Sequence, residues 1–298
     1  MHMHETRTDC LGLSLAACVW SAATAAGTST PHHLIALHGW QDNAASFQAL
    51  GEALAQSTPQ PEEPRWQLHA LDLPGHGHSS ALPPSQFYNL WDYVPAVVAY
   101  IEQLDGPVSL LGHSLGGMIA TLTAAARPDL IRTLSTLDMV GFAIDDDAEQ
   151  VARLLSTLGA QTRPAPEHRL SATLDEAIAR RARIGSPDTM AANRLLVERG
   201  AEQTDHGWRF RVDTRVRLGS VMRLNRQQML AVCQQVQCPW QAMLGEQGLY
   251  PESRIQPWVS TLPLTRYTRW PGGHHFHMTH SVTELWSALA DWTASQTD

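Results

Sequence analysis

Short runs rich in apolar and β-branched residues alternate along the chain with longer segments in which apolar positions recur every three or four residues. A continuous apolar run of four to eight residues is typical of a strand buried on both faces of a parallel sheet, and the longer spacing is typical of an amphipathic helix. The alternation predicts an α/β protein whose mostly parallel sheet carries helices on both faces. The predicted strands are 33–37, 66–72, 108–113, 131–138, 238–245 and 265–270, and the predicted helices are 46–56, 88–104, 115–127, 252–262 and 282–294.

The first thirty residues allow two interpretations. Residues 11–27 are apolar, rich in Ala and Ser, and end in small residues, which suits the apolar region of a signal peptide. However, Glu5 and Asp9 stand beside Arg7, so the positive segment that should precede such a region is missing. We therefore predict an opening pair of strands at 11–20 and 22–26 and a cytoplasmic protein. No stretch is long and apolar enough to span a membrane.

The character of the sequence changes between residues 141 and 236. Charged residues alternate there with short helical patterns, and 14 of the 21 arginines fall in this segment. A similar number of acidic residues accompanies them, so the pattern indicates a solvated helical insertion and does not by itself imply an anionic substrate. The predicted division is a first core part at 1–140, a helical cap at 141–236 and a second core part at 237–298.

Composition narrows the function classes. Hydrophobic residues make up 43% and charged residues 17% of the 298 residues, as in a globular protein that buries a full core. A net charge of −8 disfavours a general nucleic-acid binder, which needs a basic surface. The four cysteines have neither metal-ligand nor disulfide-framework spacing, so we predict free thiols in a reducing compartment. We expect no cofactor and no metal, and the sequence carries no signal for an oligomeric state.

The segment Gly112-His113-Ser114-Leu115-Gly116-Gly117 stands between a predicted strand and a predicted helix. This is the spacing of a nucleophile elbow, in which a serine occupies a strained turn that only small flanking residues allow. The helix N-terminus beside it would help to stabilise negative charge. We interpret Ser114 as a nucleophile, in preference to a structural turn.

Other polar residues also follow predicted strands directly. The carboxyl ends of parallel strands meet at one edge of the sheet, where functional residues of such folds gather. We therefore expect these residues to lie along that edge together with Ser114. They are His38, Asp72, Asp138 and His274.

These motifs together resemble the α/β-hydrolase superfamily. His38-Gly39-Trp40, the segment from Asp72 to Ser79, the elbow and Gly273-His274 occur in the order of that family. The segment from His38 to Phe47, with Leu137-Asp138 and the loop 273–277, is similar more narrowly to the serine hydrolase-like proteins and their bacterial relatives. The resemblance implies an eight-stranded, mostly parallel sheet with a helical cap inserted after strand 6.

The resemblance also implies roles for individual residues. His274 would take the proton of Ser114 and later give it to the leaving group, with His275 or His277 as alternatives if the alignment slips. The backbone N–H groups of Trp40 and Leu115 would form the oxyanion hole. His113 is expected to pack behind the elbow.

The triad acid departs from the family pattern. Most members carry Gly-x-x-Asp after the seventh strand, whereas this chain has Gly245-Glu246-Gln247-Gly248. We favour Asp138 as the acid, because it stands at the end of the strand beside the elbow strand. Glu246 is the alternative acid, and Asp138 could instead only cap the turn that follows it.

The predicted function is that of a serine hydrolase acting on a small carboxylic ester, thioester, lactone or amide through an acyl-enzyme on Ser114. An acyltransferase or perhydrolase would use the same residues. A non-enzymatic ligand-binding protein is the third alternative, motivated by glycine where the family acid should stand. The following cap residues, which could equally pack inside the cap, are candidates to line the substrate pocket: Trp208, Phe210, Met222, Met229 and Leu249.

Overall fold

An eight-stranded sheet forms the centre of the protein in a computed structural model that describes residues 3–22, 31–57, 65–141, 147–183, 190–279 and 281–296. Its strand order is β1-β2-β4-β3-β5-β6-β9-β10, and every pairing from β4 to β10 is parallel. The α/β sheet predicted from the sequence is thereby confirmed. The strands are β1 Met3–Cys10, β2 Leu13–Ser21, β3 His32–Leu37, β4 Trp66–Leu71, β5 Val108–His113, β6 Ile131–Leu137, β7 Ala201–Thr204, β8 Gly207–Phe210, β9 Trp240–Gln247 and β10 Arg266–Gly273.

Helices cover both faces of this sheet. One buried cluster packs α2 and α3 against the strands, and a second packs α1 and α9 against the opposite face. The side chains of the inner strands β3 and β5 are almost entirely buried, which explains their unbroken apolar runs. The helices are α1 Gln48–Gln56, α2 Val94–Ile101, α3 Leu115–Ala126, α4 Asp147–Gln161, α5 Leu174–Arg181, α6 Met190–Gly200, α7 Arg226–Cys233, α8 Glu252–Val259 and α9 Val282–Ala294.

The strand predicted at 11–20 is confirmed as β2, Leu13–Ser21, but its antiparallel partner is β1, which precedes it and was not predicted. The chain begins with an antiparallel hairpin of β1 and β2, whose turn puts Leu11 and Gly12 at positive φ. β1 has one neighbour and is mostly exposed, so its sequence is polar and lacks an apolar signal. Ala22 lies beyond β2, and residues 23–26 fall outside the described part of the chain.

Other predicted elements also differ in their bounds. The helix predicted at 88–104 is a 3₁₀ turn, Leu90–Tyr93, followed by the shorter α2. The strand predicted at 265–270 continues as β10 to Gly273, so that His274 follows it directly. This extension depends on pairing with β9, including an irregularity in register between Trp270 and Gly273, which local sequence does not reveal.

The segment between β6 and β9 holds helices α4 to α7 and also a two-stranded antiparallel ribbon, β7 and β8. The sequence pattern predicted only helices in this segment. The ribbon turns at Asp205-His206, and Gly207 adopts a φ of 121° that favours glycine. Strands of four residues are too short to show a period of two, so the helical interpretation missed them.

Two buried carboxylates of the core hold arginines of this segment. Arg199 Nη2 donates to Asp72 Oδ2 at 2.6 Å, and Arg181 Nη2 donates to Asp42 Oδ1 at 2.5 Å. Burial alone would raise the pKa of each carboxyl, but the charge of Arg199 lowers that of Asp72, and His275 with Arg181 lowers that of Asp42. Both acids therefore stay ionised and fix α5 and α6 over the sheet edge.

The cysteines of the described chain are all free thiols, as predicted. Burial raises the pKa of Cys10 and Cys18 to about 11, which keeps both protonated and unreactive at neutral pH. Of the helices in the described ranges, none has the length and hydropathy that crossing a bilayer would need.

Candidate active site

The elbow forms where β5 meets α3. Ser114 adopts φ 51° and ψ −117°, a strained conformation for a residue with a side chain. A Cβ on Gly116 would lie 1.9 Å from the carbonyl oxygen of Leu37, and a Cβ on Gly112 would lie 2.4 Å from that of Gly116. Both glycines are therefore required for the close approach of β3, β5 and α3, which holds Ser114 half-buried at the sheet edge.

His274 and Asp138 meet at the same edge, one after β10 and the other after β6. His274 Nδ1 lies 2.5 Å from Asp138 Oδ2, so Nδ1–H donates to the carboxylate and Nε2 is left free to act as a base. Asp138 is fully buried, and it also accepts hydrogen bonds from the N–H groups of Gly245 at 3.1 Å and Leu249 at 3.0 Å. These bonds hold the carboxylate in one orientation toward the imidazole.

Gly248 makes room for this carboxylate. A Cβ at Gly248 would lie 2.2 Å from Asp138 Oδ1. Gly248 stands where most family members carry the acid. Because it has no side chain, it leaves the space that the Asp138 side chain fills. Glu246, the alternative acid, is exposed, and its described contact is through its backbone carbonyl, which accepts a hydrogen bond from Arg269.

Replacing Gly248 by alanine is expected to lower kcat/KM by about 10²-fold, because displacing Asp138 misplaces the imidazole it orients. The change is measured as hydrolysis of a chromogenic ester and as the rate of fluorophosphonate labelling. Gly159→Ala is the matched control, since a Cβ there meets nothing within 4 Å. Equal activity of the two variants would contradict the packing role of Gly248.

Trp40 and Leu115, the predicted oxyanion donors, follow adjacent parallel strands. β3 ends at Leu37 and pairs with β5 in the register Leu37 to Gly112, so each residue stands three positions beyond this pair. Within the described chain neither backbone N–H donates a hydrogen bond, and that of Leu115 is the first of α3. Both N–H groups are thus available to donate a hydrogen bond to a ligand at the sheet edge.

Behind His274 lies a buried network that the sequence analysis missed. His113 Nε2–H donates to the carbonyl oxygen of His274 at 3.0 Å, and His275 Nε2–H donates to Asp42 Oδ2 at 3.0 Å. Burial and the neighbouring histidines lower the pKa of His113 well below its usual value, so this ring stays neutral. These bonds hold the loop at His274 and directly after it. The signal in the sequence was the repeated histidine at 274, 275 and 277.

Ligand nitrogens of His113, His274 and His275 lie within 4.8 Å of one another, close enough to be considered for a metal. Each ring already has one nitrogen in a hydrogen bond to protein. His113 and His274 thus belong to the hydrogen-bond network around the Asp138–His274 pair, and His275 is bound to Asp42.

Ser114 and His274 face a common cavity of about 290 Å³. Trp40, Phe210 and Leu249 also line it, so two of the five candidate lining residues, Phe210 and Leu249, reach this space. Met229 is instead fully buried in the core, and Trp208 packs against an apolar cluster of α5, α6 and β7. Met222 lines a neighbouring cavity.

A parallel sheet with a serine elbow and a carboxylate–histidine pair at its carboxyl edge defines the α/β hydrolases. The sequence profile of the alpha/beta hydrolase fold matches residues 32–192, and the chain belongs to this family. The protein is a hydrolase, and its relatives place it among the serine hydrolase-like proteins.

Two curated relatives and one solved structure illustrate this similarity. A probable serine hydrolase of Drosophila melanogaster is 30% identical over 85% of this chain and 78% of its own length. A serine hydrolase-like protein of Danio rerio is 27% identical over 91% of this chain and 84% of its own. The crystal structure of a hypothetical protein from Pseudomonas aeruginosa PAO1 is 33% identical, covers 98% of both chains and superimposes with a TM-score of 0.82.

Proposed function

We propose that the protein is a serine hydrolase that cleaves a small carboxylic ester, thioester, lactone or amide through an acyl-enzyme on Ser114. The observation that carries this proposal is the strained Ser114 opening into the same cavity as His274, whose Nδ1 is held by the buried Asp138. These are the geometric roles of nucleophile, base and orienting acid.

In the first half of the reaction Ser114 Oγ attacks the carbonyl carbon of the substrate while His274 Nε2 takes the hydroxyl proton. The imidazolium that forms is stabilised by Asp138 through Nδ1–H. The backbone N–H groups of Trp40 and Leu115 donate to the oxyanion, and each such donor contributes about 3–4 kcal/mol in comparable enzymes. His274 then gives its proton to the leaving oxygen, sulfur or nitrogen, and the acyl-enzyme remains.

In the second half of the reaction a water molecule replaces the Ser114 hydroxyl as the nucleophile. His274 takes a proton from the water as the water oxygen attacks the acyl carbon. The tetrahedral intermediate collapses, the carbon–Oγ bond breaks and Ser114 recovers its proton. An acyltransferase or a perhydrolase would admit an alcohol or peroxide at this step, so product analysis with these acceptors separates the alternatives.

The deciding experiment is labelling with a fluorophosphonate, followed by intact-mass measurement and peptide mapping. We expect one adduct at Ser114 and loss of that adduct in Ser114→Ala. Ser260→Ala, which changes an exposed serine after α8, is the matched control and should label like the wild type. A folded wild-type protein that takes up no label would overturn the proposal and favour a ligand-binding protein.

A further inference from the structure

A second cavity of about 460 Å³ adjoins the one at Ser114. The two share Trp40, Arg217 and Leu249, which stand between them. The floor of the second cavity includes Leu115, the residue directly after the proposed nucleophile. A substrate whose carbonyl carbon lies at Ser114 can therefore extend past Trp40 into this space.

The part of the second cavity close to Ser114 is apolar and aromatic. A methylene chain would lie there against side chains from the 3₁₀ turn before α2, from α3 and from the segment after β6. Burying methylene groups in such surroundings is favourable because it removes apolar surface from water. The side chains are Leu90, Tyr93, Leu115, Met118 and Met139.

The cap side of the same cavity is basic. Arg153 comes from α4, Arg217 from the 3₁₀ helix Thr214–Leu218, and Arg223 from the segment before α7. Burial and the positive charge of Arg153 lower the pKa of Arg223 below its ordinary value. The fold thus holds two guanidinium groups near each other on a partly buried wall, in a protein whose net charge is −8.

The carboxylate of Glu149 pairs with Arg153 of this wall. Glu149 Oε1 lies 3.4 Å from Arg153 Nη2, and this carboxylate is more than half exposed. Within the described residues, Arg153 Nε is buried and has no hydrogen-bond partner. An anion in the cavity would accept charge-assisted hydrogen bonds from these groups and reduce their mutual repulsion.

We propose that the second cavity binds a negatively charged group at the far end of the acyl chain. The preferred substrates are then esters or thioesters of acyl chains that end in a carboxylate or a phosphate. This inference rests on the proposed hydrolase function and names its substrate class. The apolar floor accepts the methylene groups, and Arg153, Arg217 and Arg223 accept the charged end.

The kinetic test uses two p-nitrophenyl esters of equal chain length, the hexanoate and the monoester of adipate, which differ in a terminal carboxylate. We expect kcat/KM to be about tenfold or more higher for the adipate monoester and this preference to shrink as salt is added. A third ester with a terminal phosphate identifies which of the two anions fits better. Equal or lower turnover of both anionic esters would overturn the inference.

Variants of the cavity arginines test whether these residues cause the preference for the anionic ester. Arg217→Gln and Arg223→Gln should each lower the ratio of the two kcat/KM values by about 10-fold to 100-fold, the usual effect of a charged hydrogen bond. Arg217→Lys should retain part of it. The control is Arg194→Gln on the exposed face of α6, where Arg194 pairs with Asp175 and Glu198, and its ratio should match the wild type. A ratio unchanged in both cavity variants would contradict the assignment.

Ligand binding to an inactive variant tests the anion site independently of the proposed hydrolase activity. In Ser114→Ala, calorimetric titration with monomethyl adipate should give an affinity about tenfold or more above that of the uncharged methyl hexanoate, and adding Arg223→Gln should remove the difference. This result would support the anion site even if Ser114 takes up no fluorophosphonate. Equal binding of monomethyl adipate and methyl hexanoate would overturn the anion site while leaving hydrolysis of neutral esters intact.

Discussion

Asp138→Asn is expected to lower kcat/KM by about 10⁴-fold, the loss seen when the orienting acid is removed from a Ser-His-Asp enzyme. An amide cannot stabilise the imidazolium of His274, and it favours the tautomer in which Nε2 carries the proton. The measurement is ester hydrolysis, together with the rate of fluorophosphonate labelling, which does not depend on knowing the natural substrate. Labelling should be slowed to a similar degree.

Glu246→Gln is the matched control for this variant. It removes one carboxylate from the end of the neighbouring strand β9, where the side chain is exposed. We expect activity near that of the wild type. A large loss in Glu246→Gln with little loss in Asp138→Asn would instead assign the acid to Glu246.

Folding must be checked in Asp138→Asn, because the amide NH₂ would face the backbone N–H of Gly245 or Leu249. One unsatisfied buried donor costs about 1–3 kcal/mol. Urea unfolding measures this cost. A loss of activity measured at full folded population then reports on catalysis alone.

The strands and the position of the elbow could be predicted because their signals are local. β5 is a continuous apolar run, and the glycines around Ser114 mark the sharp turn directly. Asp138 and His274 could be placed near each other because each follows a strand whose carboxyl end reaches the same edge.

The features that escaped prediction depend on contacts between distant segments. Gly248 is informative only once the Asp138 side chain is seen to fill the space beside it. Asp42 joins His275 and Arg181, residues more than one hundred positions away, and no spacing in the sequence signals that triple contact. The polar edge strand β1 was missed because it buries too little apolar surface to show a pattern.

Mild acid is expected to destabilise the protein because several buried histidines are held neutral. Burial lowers the pKa of His69 and of His76 to about 3, and both side chains are almost wholly buried. The neutral ring of His69 is well accommodated, with Tyr100 Oη 2.8 Å from Nδ1 and Gln67 Oε1 3.0 Å from Nε2. In the unfolded chain both histidines regain a pKa of about 6.5.

The sign of the pH dependence follows from proton uptake. Below about pH 6.5 the unfolded chain binds protons that the folded protein does not, so the free energy of unfolding falls as the pH falls. At pH 5 the loss is about 2 kcal/mol for each of these two histidines. Burial lowers the pKa of His38, His113 and His277 as well, which adds to the loss. Globular proteins typically have a free energy of unfolding of about 5–15 kcal/mol, so the combined loss at pH 5 is a large part of the total stability.

Urea unfolding followed by tryptophan fluorescence at pH 7.5, 6.5, 5.5 and 5.0 measures how the free energy of unfolding changes with pH. His69→Gln should reduce the loss between pH 7.5 and 5.0 by about 2 kcal/mol, because glutamine takes up no proton on unfolding. His206→Gln changes an exposed histidine in the β7–β8 turn and should keep the wild-type slope. The carboxylates act in a separate window, since the lowered pKa values of Asp42 and Asp72 mean that their stabilisation is lost only below about pH 4. A stability that stays constant from pH 7.5 to 5.0 would therefore show that the buried histidines are protonated in the folded protein.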